Sequence, residues 1–201
     1  MVRKLEALIF KQKYPLLVKG KTFFGYPFYA YGCTYEKDLW FCGFPNSSQD
    51  IRLTKFIIKH LKTNDIFFDI GAHRGFYSLL AHKLMDCAGT IHAFEPSPFH
   101  FKVLLKNANY PGIFLNKIAL SSKSGSLVFY EIKKGSGSTT TDKFLKGSSY
   151  YNYCKEERFE KIEVLSNTLD NYCQSRGIYP SFLKIDTEGS EYDMLLGAGD
   201  V

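Results

Sequence analysis

The 201-residue sequence contains no apolar run approaching the roughly 20 residues that a membrane-spanning helix needs. Its first residues, Met1-Val-Arg-Lys-Leu-Glu, lack the apolar core of a secretory signal, so a cytoplasmic protein is expected. Cysteine is sparse: Cys33, Cys42, Cys87, Cys154 and Cys173 are odd in number and form no C-x-x-C pair. Neither a disulfide framework nor a zinc site is signalled, and free buried thiols are expected with no bound metal. A G-x-x-x-x-G-K-[ST] phosphate loop is missing too, which excludes ATP binding by that route. Nor is there a G-x-G-x-x-G dinucleotide fingerprint, because His73 stands where its middle glycine would lie. That side chain would occupy the space a pyrophosphate must enter, and NAD is disfavoured.

What is present suits a globular enzyme. At this length folding buries roughly 70% of the unfolded chain's surface, and an apolar fraction of 45% can fill one core. The net charge of +6 is unevenly spread, since residues 1–64 carry 11 Lys and Arg against 4 acids while residues 65–201 carry 15 against 16. The excess therefore belongs to the N-terminal segment. There, Val2, Leu5, Leu8 and Ile9 can line one face of a short helix beside Arg3 and Lys4, which allows weak contact with an anionic membrane surface. No RNA-binding signature occurs, so no nucleic-acid partner is expected. The alternative reading is a non-catalytic fragment or interaction module whose basic N-terminus binds a membrane surface or nucleic acid.

Patterning divides the chain near residue 64. Residues 1–64 read as a small β-rich segment plus a helix. Aromatic runs broken by Gly and Pro occupy 22–31, a further short strand is expected over 38–44, and Ile51, Phe56, Ile57, Ile58 and Leu61 follow helical spacing. From residue 65 strands and helices alternate: a strand to residue 70, a helix over about 75–85, a strand over 90–95 and a helix over 98–108. Such alternation predicts parallel β-α-β units. A third strand is expected over 113–120 and a further strand over 126–132. A Lys/Gly/Ser/Thr-rich loop follows at 133–149, and its stretch from Gly135 to Thr141 is a candidate substrate lid. A short strand at 162–165, a helix capped by Thr168, a fourth core strand at 180–186 and a closing helix from Ser190 complete the pattern. Because the chain stops after that helix, the sheet is expected to be truncated, with its substrate pocket incomplete.

Chemistry concentrates at the carboxyl ends of the strands, where open α/β sheets bind ligands. Ile66-Phe-Phe-Asp69-Ile-Gly71-Ala-His73-Arg-Gly75 is a strand that ends in an acid and breaks into a glycine turn. Asp69 would repel a pyrophosphate and attract a positively charged amino-acid tail. Glu95 follows 26 residues later at the next strand end, near the offset at which an acid accepts from ribose hydroxyls. Helix capping from near Ser97 is its local alternative. In Lys184-Ile-Asp186-Thr-Glu188-Gly-Ser-Glu191 the carboxylates of Asp186 and Glu188 point to one side if the strand continues that far. Glu191 fits the N-terminus of the last helix.

Three stretches in order carry a family resemblance: Asp69-Ile-Gly-Ala-His-Arg-Gly-Phe-Tyr-Ser, Phe94-Glu-Pro-Ser-Pro, and Leu183-Lys-Ile-Asp-Thr-Glu-Gly-Ser-Glu-Tyr. They resemble the successive signatures of the FkbM family of S-adenosylmethionine-dependent methyltransferases, over roughly residues 50–201. The resemblance implies a Rossmann-like class I methyltransferase fold with an open, mostly parallel sheet. It implies O-methylation of a hydroxyl on a sugar or other natural-product-like small molecule. Carried over by position, Asp69, Gly71, Ala72 and Gly75 would contact the methionine part of S-adenosylmethionine and Glu95 its ribose. Asp186 is the first candidate base and His73, where the family more usually has Asn, the second; Glu188 is a candidate substrate ligand.

Overall fold

A computed structural model of the chain describes residues 16–31, 43–45, 47–132, 140–141 and 159–201. The helix expected around Leu5, most of the strand expected over 38–44 and most of the lid loop lie outside the described residues.

The parallel units are present as expected. β3 (Ile66–Ile70), α2 (Phe76–Leu84), β4 (Thr90–Phe94), α3 (Pro98–Asn107) and β5 (Ile113–Asn116) follow one another, and β10 (Phe182–Ile185) joins their sheet from far along the chain. All pairings in this sheet are parallel, in the order β10-β3-β4-β5. The chain thus steps outward from β3 to β5 and returns on the other side of β3, which puts a topological switch point between β3 and β10. Aromatic and β-branched residues fill these strands because both faces are covered. Phe67, Ile91 and Ala93 pack with Leu79, Leu80 and Leu104 on one face. Phe68, Ile70 and Phe94 pack with Leu169, Tyr172 and Met194 on the other.

Local chemistry sets the helix ends. The Ser47 hydroxyl accepts from the Asp50 N–H ahead of α1 (Ser48–His60), and Ser97 caps α3 with Pro98 in its first turn. Thr168 caps α4 (Leu169–Arg176), which closes on Gly177 at φ 62°. α1 departs from expectation in its buried face. Thr54 and Ile57 point inward, whereas Phe56 and Ile58 are 55% and 46% exposed. The i, i+3 row through Thr54 and Ile57 faces the core, and Phe56 and Ile58 flank it on opposite sides.

The third predicted strand is two strands. β5 ends at Asn116, and β6 (Ala119–Leu120) belongs to a second sheet, ordered β6-β9-β7-β8, built with β7 (Gly125–Ile132), β8 (Thr140–Thr141) and β9 (Phe159–Asn167). Asn116 sits at the break: its amide donates to Ala93 O and Phe114 O, and its Oδ1 accepts from the Tyr172 hydroxyl at 2.9 Å. The short strand expected at 162–165 is the middle of nine-residue β9, which pairs with β7 along all eight of that strand's residues. The closing helix α5 is shorter than expected, spanning only Glu191–Leu196.

The N-terminal hairpin, β1 (Leu17–Lys21) and β2 (Pro27–Tyr31), docks on the parallel unit. Phe28 and Ala30 are buried in the same core as Phe76 and Leu104. Asn107, itself buried, fastens the join: Oδ1 accepts from Tyr29 N–H at 2.7 Å, and Nδ2 donates to Tyr29 O and Arg74 O, each at 2.9 Å. Leaving several backbone groups unpaired costs about 1–3 kcal/mol each. Asn107→Ala is therefore expected to lower the unfolding free energy by about 3 kcal/mol in urea titration, and a loss below about 0.5 kcal/mol would remove Asn107 from this role.

Candidate active site

A cavity opens at the carboxyl ends of β3, β4 and β10, against the second sheet. Its lining includes Gly71 from the end of β3, Glu95 from the end of β4, and Asp186 to Glu188 after β10. Leu120, Leu127 and Phe129 supply an apolar wall. Sequence reading did not assign that wall a role, because only the tertiary fold brings the second sheet over the first.

The glycine turn is shaped by the protein itself. Gly71 has φ 76°, and a Cβ there would lie 1.9 Å from the Asp186 carbonyl oxygen. The backbones leaving β3 and β10 approach so closely that no side chain fits between them. Gly71 and Ala72 both donate their N–H groups to Phe94 O, at 3.0 and 2.9 Å, and Gly75 donates to Ala72 O. Gly75, at φ 85°, has Leu104 and Ala108 where its Cβ would stand. The amides of Gly71, Ala72 and Gly75 are thus all paired inside the fold. Gly71 lines the cavity, and Ala72 and Gly75 are not among its lining residues.

Asp69 also stands apart from the cavity wall. It is fully buried, accepts from the Ser78 hydroxyl at 2.6 Å and lies 3.0 Å from Lys184 Nζ. Lys184 is its cross-strand partner in the β3–β10 register. The same ammonium donates to Gly71 O at 2.7 Å and stands 4.0 Å from the Asp186 carboxylate. The cation facing Asp69 within the chain is therefore Lys184. Lys184 is the residue that sequence reading passed over. Its signal was a lone lysine inside Phe182-Leu-Lys-Ile, since a lysine in a buried strand requires a partner.

Glu95 is buried at the cavity edge. Its two oxygens accept from the N–H groups of His73 and Ser97, both at 2.9 Å, while Ser97 itself caps α3. Glu95 thus supports the cap without being it. Burial raises its pKa from 4.5 to about 7, against the pull of those two N–H groups and of Lys184. His73, held at φ 54°, lies 4.1 Å from the His100 ring, centroid to centroid. Burial and then the Lys184 charge lower its pKa to about 4, so its ring is neutral at pH 7 and a weak base. Of the two candidate bases, Asp186 is the better placed: its carboxylate is 58% exposed at the cavity.

Glu188 lines the cavity as expected, but for a different reason. β10 ends at Ile185, so strand alternation does not reach it, and a left-handed backbone at φ 52° turns the chain there. Glu191 holds that turn. Its carboxylate accepts from Thr187 N–H at 2.8 Å and Gly189 N–H at 3.1 Å; burial pushes its pKa up, but the backbone donors outweigh this and leave it below the usual carboxylate range. Of the two described cysteines, Cys173 is buried as expected and Cys87 is exposed; both are free.

The chain was compared with known protein families, curated proteins and solved structures. The Methyltransferase FkbM domain family matches residues 69–201. The 31-O-demethyl-FK506 methyltransferase FkbM of Streptomyces tacrolimicus is 32% identical, over 70% of this chain and 62% of its own length. The chain thus spans about three-fifths of that relative. A crystal structure of Methyltransferase FkbM from Methylobacillus flagellatus KT aligns with 68% of this chain and 29% of its own, at 15% identity and a TM-score of 0.43.

Removing one member of a buried ion pair strands the other, typically at a cost of about 3–5 kcal/mol. Lys184→Met is expected to lose an amount in that range by chemical denaturation, and a variant as stable as the parent would show that the pair is not an essential charge balance.

Proposed function

The chain belongs to the FkbM methyltransferase family, and on that premise we propose that it transfers a methyl group from S-adenosylmethionine to a hydroxyl oxygen of a sugar or other natural-product-like small molecule. The observation that carries this reading is the Glu95 carboxylate at the edge of a switch-point cavity. The cavity's charge supports the fit: Glu95, Asp186, Glu188 and Asp193 line it, with no Lys or Arg among the described residues that line it. Such a wall favours a cationic sulfonium ligand and disfavours a phosphate. The Streptomyces tacrolimicus relative is named for an O-demethyl substrate, and the oxygen acceptor is carried over from it as part of the proposal. A cytoplasmic location is a separate part of the proposal; among the described residues no helix is long and apolar enough to cross a membrane.

In this reading Glu95 accepts from the ribose hydroxyls, Gly71 borders the methionine part, and Ala72 and Gly75 shape the turn behind it. Leu127 and Phe129 exclude water from the reacting atoms. S-adenosylmethionine, when bound, supplies a methyl group already activated by the sulfonium charge. Asp186 takes the proton of the acceptor hydroxyl as the oxygen gains its methyl group, and Glu188 orients that acceptor. Alignment alone supplies on the order of 7–11 kcal/mol, whereas a base adds about 10²- to 10⁴-fold. The protein's main task is therefore positioning.

Two measurements test the reading. Calorimetry should find saturable S-adenosylmethionine binding, and its absence would sink the proposal. Glu95 accepts from hydroxyls best when ionised, and its pKa is about 7 in the free protein. Affinity should therefore fall as pH drops below that value, approaching about tenfold per pH unit, and Glu95→Gln should bind more weakly with a flattened profile. The turnover test is Asp186→Asn, expected to slow methyl transfer by about 10²- to 10⁴-fold with a much smaller effect on cofactor affinity. A rate within twofold of the parent would remove Asp186 as base.

A further inference from the structure

Asp69 and Lys184 are cross-strand neighbours, 3.0 Å apart and each at most 3% exposed in the side chain. Apart from a position 5.5 Å over the Tyr77 ring, the lysine's remaining contacts run toward the cavity: it donates to Gly71 O at 2.7 Å, approaches Ile70 O at 3.5 Å and stands 4.0 Å from Asp186. Gly71 and Asp186 both line the cavity. Asp69 does not reach that wall, and its other oxygen is taken by Ser78.

We propose that Asp69 acts on cofactor binding through Lys184, by balancing its charge, rather than by touching the ligand, and that what binding needs from residue 184 itself is only a donor to the Gly71 carbonyl. Asp69 cancels the lysine charge that would otherwise repel a cationic ligand, and Lys184 in turn holds the Gly71 carbonyl. One ammonium thereby ties the ends of β3 and β10 together at the switch point. This inference rests on the proposed binding of S-adenosylmethionine and assigns the carboxylate of the glycine turn an indirect part in it.

The two roles for Asp69 separate in a rescue experiment. Asp69→Asn alone leaves the buried Lys184 cation with only the more distant, exposed Asp186 carboxylate to balance it and is expected to weaken S-adenosylmethionine binding at least about tenfold in calorimetry. Adding Lys184→Gln removes that charge and keeps a donor for Gly71 O, so the double variant should return to within about threefold of the parent. If Asp69 touched the ligand, the double variant would bind no better than Asp69→Asn, and that result overturns the inference. An Asp69→Asn variant that binds like the parent overturns it as well. Should Asp69→Asn fail to fold, the charge-neutral double variant still decides: a folded double with near-parental affinity supports the inference, and one that has lost binding rejects it.

The pH profile supplies a readout that a purely structural role would not move. Glu95 is faced by Lys184, which lowers its pKa, and by Asp69, which raises it; His73 and Ser97 contribute backbone donors. Its midpoint should shift to lower pH in Asp69→Asn and return in the double variant, whereas an unmoved midpoint in both rejects the inference. A parent chain that binds no S-adenosylmethionine overturns the functional reading itself, and the inference with it. A parent that binds while the double variant is not rescued overturns the inference alone.

Discussion

Lys184 and Asp69 face one another from adjacent parallel strands in a place where water does not reach. Two apolar side chains there would have been the simpler way to fill the sheet, and a buried ion pair adds little net stability over such a filling. What the pair adds is geometry. A lysine can meet the Asp69 carboxylate and the Gly71 carbonyl together only if β3 and β10 keep their register through their last residues. The close approach of Gly71 to the Asp186 carbonyl imposes the same demand from the backbone side. These two constraints place Asp186 at the cavity, and the Glu191 carboxylate then holds the turn that carries Glu188.

The electrostatics of the site follow from where charge is cancelled and where it is left. Asp69 and Lys184 neutralise each other beneath the turn, so neither sets the sign of the cavity. That sign comes from the carboxylates at its wall, among them Glu95 and Asp186. Glu95 lies on the boundary between these regions. Burial raises its pKa to about 7, although two backbone N–H groups oppose the rise. In the free protein the group is poised to change charge near neutrality, and a ligand that offers it hydroxyl donors favours the ionised form. His73, whose backbone N–H donates to the Glu95 carboxylate, is driven the other way and stays neutral.

Much of the fold was legible in the sequence. Alternating strand and helix patterns from residue 65 correspond to β3, α2, β4 and α3 within a residue or two, and Thr168 caps α4 as read. Legibility failed where one-dimensional pattern meets a three-dimensional bend. Residues 113–120 read as one strand because apolar residues flank Asn116-Lys117 on both sides, yet Asn116 uses its side chain to leave one sheet and the chain enters another three residues later, at Ala119. Phe56 and Ile58 match a helical stripe but flank the buried row of α1, since periodicity does not say how wide a stripe the neighbouring elements will cover.

By itself the sequence determined the class of the fold, the order of its parallel units and the three stretches that mark the family, because these depend on local periodicity and on short runs of residues. It also placed the acids Glu95, Asp186 and Glu188 near one end of the sheet. Only the tertiary structure decided which of them faces the cavity and which polar groups are already taken. Asp69 reads in sequence as a ligand's partner, but in the fold Lys184, 115 positions away, reaches it first. The physical reason is that a buried charge must find its counter-charge within the folded chain, and that partner is chosen by strand register, which sequence spacing does not contain.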